Sequence, residues 1–387
     1  MTVGTARSAM SAETYAARLE RARAGLAAHD AAALLVGVSA DLVYLTGYAA
    51  MPLERLTMLV LGRGGRPTIV APRLEAMAAA ISPAGAAGLV DICPWDETDD
   101  PHRLVADLLG TGAGSGRMLV SHTLWAMHVL GLQRTLAGHE FALATEVLRD
   151  LRMRKDGVEI DRLRQAGAAA DRVIDAITTG RLIGRTEADV SQEIAGRLVA
   201  EGHELGEFGI VASGPNSASP HHTPGERRIR AGEPIVFDIG GSLGGYKSDT
   251  TRTVWVAGPD RAAPPDADFL RIYELVRASN EAATAAIRPG ARCADLDAIA
   301  RKVIADGGYG PAFLHRLGHG IGLEGHEEPY LVGGSPDELE AGVAFSIEPG
   351  IYLADRYGVR IEDIVVCGPD GPDVMNLTTH ELQVVPG

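Results

Sequence analysis

The pattern of apolar and polar positions changes period several times along the chain. Tyr15, Leu19, Ala22 and Leu26 recur at helical spacing, and Ala32 to Val38 then runs as an apolar segment of strand length. Leu56 to Leu61 and Thr68 to Ala71 read as strands joined through Gly62, Gly64 and Gly65, which predicts a hairpin. Helices are expected over Leu74 to Ile81, stopped by Pro83, and over Pro101 to Leu109 and Leu124 to Leu136. They alternate with strands near Leu89 to Cys93 and Met118 to Val120, so the first 150 or so residues read as an α/β domain.

From Thr145 to Arg164 the chain turns densely charged, and this marks a boundary. Beyond it, Glu159 to Ile177 has helical spacing, and Thr186 with Asp189 forms a capping-box-like pair opening a helix that runs to about Glu201. Strands are expected at Ile235 to Ile239, Thr253 to Ala257, Ala344 to Ile347 and Ile361 to Val366. Helices intervene at Asp266 to Ile287 and at Ala294 to Asp306, the latter ending at Gly307. The second domain is therefore α+β.

Composition narrows the functional classes. A chain of 387 residues exceeds what one hydrophobic core usually organises, which agrees with two domains. Hydrophobic residues at 46% and charged residues at 22% describe an ordinary folded globular chain. A net charge of −15 and a pI near 5.3 oppose binding to nucleic acid or anionic membranes, and no basic stripe reverses that sign locally. The three cysteines, Cys93, Cys293 and Cys367, leave at least one outside any intramolecular disulfide, which suits a reducing compartment. No apolar segment of secretory or membrane-spanning length is present, so a cytoplasmic location is expected.

The chemistry concentrates in the second domain. Asp238 lies inside the apolar run Pro234 to Ile239, where a charge is costly unless compensated. Asp249 follows 11 residues later, and the glycine-rich turn between them would set the two carboxylates across a hairpin. Glu348 and Glu362, 14 apart with Asp355 midway, repeat the arrangement and hint at a pseudo-symmetric domain. A single embedded acid is more simply ion-paired with a neighbour such as Arg252 or Arg360. Four converging acids instead carry a charge that two divalent ions would neutralise, and carboxylate-rich surroundings suit Mn²⁺, with Co²⁺ and Zn²⁺ as alternatives.

Five of the twelve histidines, His221, His222, His315, His319 and His326, occupy two short segments and could supply nitrogen donors. Gly318, Gly320 and Gly322 around His319 permit close backbone approach. They do not form a nucleotide-binding glycine motif, which needs a strand and a helix in register.

Five segments carry a resemblance to a known family: Val236 to Gly241, Ser248 to Thr253, His315 to Gly322, Ser346 to Tyr352 and Arg360 to Asp363. In these segments and their order the chain resembles the creatinase, prolidase and aminopeptidase P family of pita-bread metallopeptidases. Leu151 to Asp156 and Tyr44 to Tyr48 also look like that family's domain junction and N-terminal domain, giving domains 1–152 and 153–387. The resemblance implies that Asp238, Asp249, His319, Glu348 and Glu362 are ligands of two metal ions, with Asp249 and Glu362 bridging. It also implies hydrolysis of short peptides by an activated water shared between the ions, with Glu348 as general base.

By the same resemblance, His221 and His326 would hold the substrate and stabilise the oxyanion, and His315 and Arg360 would contact substrate or orient ligands. His222 is read as a neighbour of His221. Tyr330 stands where some prolidases carry an arginine that grips a dipeptide's free carboxylate. An Xaa-Pro dipeptidase or a general dipeptidase, acting as a homodimer, is the leading expectation. The alternatives are an X-Pro aminopeptidase, a hydrolase of a non-peptide C–N substrate, and a non-catalytic binding protein on the same fold.

Overall fold

The apolar run near the N-terminus forms β1 (Ala31–Gly37), every residue of which is buried, as expected of a strand covered on both faces. The structure, a computed structural model, describes residues 10–110 and 116–387. These fall into two compact units, one ending at Arg152 and one running from Met153 to Gly387. Among the described residues no helix is long and apolar enough to cross a membrane.

In the first unit β2 (Met58–Gly62) and β3 (Thr68–Pro72) form the expected hairpin, with Met58 opposite Val70. β4 (Asp91–Trp95), β5 (Arg117–Val120) and β6 (Phe141–Leu143) complete a six-stranded mixed sheet in the order β4-β3-β2-β1-β5-β6. Helices Pro101–Leu109 and Ala126–Thr135 place Val105 and Leu132 in its core. Pro83 does more than stop the preceding helix. That helix is confined to Ala76–Ala80, and Pro83 takes the first position of a new turn whose N-cap is Ser82, a place where its missing N–H and fixed φ cost nothing.

The second unit repeats one theme twice. Helices Gly157–Thr178 and Glu187–Ala200, each opened by a capping box, pack through Val173, Ile177, Ile194 and Leu198. They cover a meander of β7 (Leu205–Ser213), β8 (Glu233–Leu243) and β9 (Tyr246–Val256), to which the C-terminal strand Gln383–Val385 adds in parallel beside β9. The second half has β10 (Gly318–Gly320), β11 (Glu327–Leu331) and β12 (Ala344–Ile347), followed by β13 (Gly350–Leu353), β14 (Tyr357–Arg360), β15 (Asp363–Cys367) and β16 (Pro372–Val374). Helices Ala267–Ala285 and Cys293–Asp306 cover it, burying Phe269, Ile272, Val276 and Leu296 against Phe345, Val359 and Val365. The α/β then α+β order read from the sequence is the order observed.

Two registers decide where the acids go. The β8–β9 hairpin closes at Leu243–Tyr246, with Gly244 and Gly245 both at positive φ. That turn is centred one residue later than the midpoint of the two aspartates. Asp238 therefore faces Thr251 and Asp249 faces Gly240, so the carboxylates are diagonal neighbours on one face and not directly opposed. In the second hairpin Ile347 pairs with Asp363 and Gly350 with Arg360, one continuous register that sets Glu348 against Glu362. The ladder is broken at those acids: Glu362 N–H donates instead to Thr251 O on β9. The break joins the two halves at their acidic strands.

Glu187 fixes the loop that carries His221. It is fully buried and accepts hydrogen bonds from Ser213 N (2.8 Å), Ser213 Oγ (2.7 Å), Asn216 Nδ2 (3.0 Å) and His222 Nε2 (2.8 Å). Burial works against its charge, but the bonds from Ser213, His222 and Asn216 outweigh it and hold the carboxyl below its ordinary range. Glu187→Ala should therefore cost about 2–4 kcal/mol in urea denaturation at pH 7, because it strands several buried donors. Since the folded pKa is depressed, that contribution is complete above the unfolded value of about 4.3 and fades as pH falls through the folded one, so the deficit should shrink in acid.

Candidate metal centre

Burial on β8 leaves the Asp238 carboxylate with a single side-chain donor. Its Oδ2 accepts from Arg360 Nη2 at 2.6 Å, while Oδ1 is buried with no hydrogen-bond partner. The ion-pair alternative is thus realised for Asp238 alone. Arg252 pairs instead with Asp363, at 2.7 Å, and also donates to Glu362 O and Thr378 O. Asp249 lies 3.7 Å from His319 Nε2. Glu362 accepts from Thr251 Oγ1 at 2.6 Å, and Glu348 accepts from Ser346 Oγ at 3.1 Å and lies 3.4 Å from His319 Nε2.

His319 donates from Nδ1 to Gly320 O (3.1 Å), which leaves the lone pair of Nε2 facing the acids. Burial, with His326 beside it, pushes its pKa down to about 3, so the ring is neutral and able to ligate.

Three sets of side chains have ligand atoms mutually within 4.8 Å: Asp238, Asp249 and Glu362; His319, Glu348 and Glu362; and Asp249, His319 and His326. Glu362 belongs to two of them, as does Asp249. Burial followed by the neighbouring carboxylates drives Asp249 and Glu362 well above the ordinary carboxylate range, and burial pushes Glu348 up to about 7. Four carboxylates thus converge on one guanidinium, with an orphaned oxygen among them. That donor set, oxygen-rich with one imidazole, fits a pair of divalent cations.

A cavity of about 600 Å³ opens over the acids, lined also by Phe208, Ile210, His221, His315, Arg316, His326 and Arg360. His221 is exposed at its wall, and the His326 ring lies 3.8 Å from that of His319. His315 donates from Nδ1 to Arg316 O and accepts from Tyr352 OH, each at 2.8 Å, and burial lowers its pKa to about 4. Arg360 is buried and donates to Thr251 Oγ1, Pro220 O, Tyr352 OH and Asp238. His222 turns to Glu187 and does not line the cavity.

Sequence reasoning passed over Arg316, Thr251, Tyr352 and Phe208. Thr251 and Tyr352 lie inside the matched segments, two residues beyond Asp249 and four beyond Glu348, where that spacing is the only signal. Phe208 comes from β7, whose glycines conceal a strand, and the bulge between Gly206 and Phe208 alters which side chains face the cavity.

Comparison with known proteins identifies the family. Residues 161–369 match the profile of metallopeptidase family M24, and residues 18–154 match the creatinase/prolidase N-terminal domain. The probable dipeptidase PepE of Mycobacterium tuberculosis is 47% identical over 97% of this chain and 98% of its own length. An Xaa-Pro dipeptidase of Lactobacillus delbrueckii is 34% identical over 89% and 92% of the two chains. The crystal structure of dipeptidase PepE from Mycobacterium ulcerans superposes with a TM-score of 0.92 at 45% identity, covering 98% of this chain and all of that one. With two domain profiles, full-length relatives and a matching solved fold in agreement, the chain belongs to metallopeptidase family M24.

Proposed function

We propose that the chain is a dipeptidase dependent on two divalent ions, with Mn²⁺ as the preferred metal and residues 153–387 as its catalytic domain. The observation that carries this reading is the convergence of four buried carboxylates and one neutral imidazole in the wall of a cavity large enough for a small peptide. Asp238, Asp249, His319, Glu348 and Glu362 would hold the ions, and Asp249 and Glu362 each belong to two of the ligand groups. When bound, two such ions polarise a scissile carbonyl and make a water nucleophilic near neutral pH.

The chain's own residues would do the rest. Glu348, whose carboxyl lies near pH 7 before metal binds, takes a proton from the attacking water and passes it to the leaving amine. His326 accepts from Arg316 on Nδ1, so its Nε2 carries the hydrogen and donates to the developing oxyanion, with His221 as a second donor. The relay from Arg360 through Tyr352 OH to His315 holds the opposite wall. Relatives named dipeptidase and Xaa-Pro dipeptidase support short peptides, with or without proline, as substrates.

Exposed Trp125, Met127 and Leu130 supply apolar surface for a homodimer. Three free cysteines suit a cytoplasmic location.

Mn²⁺-loaded protein should cleave dipeptides, and Glu348→Ala should lower kcat about 10³-fold in a ninhydrin assay of released amino acids. Retention of full activity in that variant rules Glu348 out as the base. The raised carboxyls give a second test. Groups whose folded pKa is raised bind more protons in the folded state, so metal-free protein is most stable below their unfolded values and loses stability as pH rises through the folded ones. The urea midpoint in EDTA should therefore fall as pH rises from about 4.3 through about 7, and Mn²⁺ should largely remove that slope.

A further inference from the structure

Two cations line the cavity, and they differ in what they already hold. Every hydrogen-bonding nitrogen of Arg360 is committed to Asp238, Thr251, Tyr352 or Pro220. Arg316 has no carboxylate within ion-pairing distance among the described residues. Its guanidinium carbon lies 4.2 Å from the Tyr330 ring centroid, and its Nη2 donates to His326 Nδ1 at 3.3 Å.

Stacking on an aromatic face holds a guanidinium flat while leaving its N–H edges free for a planar anion. Tyr330 stands directly opposite His319 in the β10–β11 pairing, so the platform is built on the ladder that carries the imidazole of the cluster. An arginine held this way beside a strongly acidic site, yet without an acid of its own, is poised for an anion brought by the substrate.

We infer that Arg316 is a specificity-determining residue that anchors the free C-terminal carboxylate of a dipeptide. The inference rests on the reading above, in which the scissile carbonyl sits at the acids and His326 donates to its oxygen. His326 stands between the two positions: its ring is 3.8 Å from that of His319 and its Nδ1 is 3.3 Å from Arg316. The one residue a dipeptide carries beyond the scissile bond spans roughly 3.3–3.6 Å when extended, and the hydrogen bond from a guanidinium to its carboxylate adds about 2.7–2.9 Å of reach. A dipeptide has one residue beyond the scissile bond and delivers its carboxylate to Arg316. A longer peptide delivers an uncharged amide and forgoes the charge-assisted pair.

The test compares Ala-Leu, Ala-Leu amide and Ala-Asp amide with Mn²⁺-loaded wild type, Arg316→Gln and Arg316→Lys. Wild type should favour Ala-Leu over its amide by about 10- to 100-fold in kcat/KM, expressed mainly in KM. Arg316→Gln should collapse that preference to within about threefold, and Arg316→Lys should restore part of it. Isothermal titration with the acid and amide forms of a reduced-peptide-bond Ala-Leu analogue should show the same ratio in affinity without any turnover.

Equal use of Ala-Leu and its amide by wild type overturns the proposal whether or not the variants fold. Ala-Asp amide performing as well as Ala-Leu overturns it in favour of a side-chain carboxylate subsite. Should no peptide be cut, the dipeptidase reading fails, and the titration decides separately whether Arg316 binds a carboxylate.

Discussion

Mutual repulsion among Asp238, Asp249, Glu348 and Glu362 is the constraint on which the second unit depends. Burying one carboxylate is expensive, and burying several within reach of each other is tolerable only if the groups are protonated or cations share the space. Both responses are written into the site: raised carboxyl pKa values without metal, and a donor set suited to divalent ions. The cost is imposed by the fold. β8 and β9 hold two acids in a fixed ladder, and the interrupted register at Glu348 and Glu362 turns the other two onto the same face.

The positive charges of this unit are sorted accordingly. Arg252 and Asp363 form a buried pair beside the cluster, each 2% exposed, and Lys155 pairs with Glu327. These pairs are satisfied and stay out of the cavity. Arg360 alone enters the cluster, where it ties Asp238 to the Tyr352 and His315 wall. The buried imidazoles His315 and His319 are neutral, which keeps them available as hydrogen-bond acceptor and ligand. The chain's own cations thus leave most of the cluster's acids without a positive partner.

Much of this was legible in the residues. The alternation of helix and strand, the capping box at Thr186 and the β2–β3 hairpin follow from local patterns that tertiary contacts did not override. The Glu348 and Glu362 register was readable as well, because Asp355 really is the centre of the turn and adopts a positive φ there. The Asp238 and Asp249 register was misplaced by one position, since equidistance cannot tell which two glycines of a glycine-rich stretch make the turn. The ladder break at Glu362, the tie from Arg360 to Asp238 and the stacking of Arg316 on Tyr330 were not readable. Each joins residues that are distant in sequence or depends on a rotamer set by packing. β7 escaped notice because Gly206 and Gly209 dilute its alternation, and its bulge disrupts what remains.

The central claim is that this acid cluster exists to hold two cations. Anomalous diffraction from crystals grown with Mn²⁺ tests it most directly. The account predicts two peaks roughly 3.5–4 Å apart among Asp238, Asp249, His319, Glu348 and Glu362. A site without metal at saturating Mn²⁺, or peaks only at other carboxylates, would contradict it.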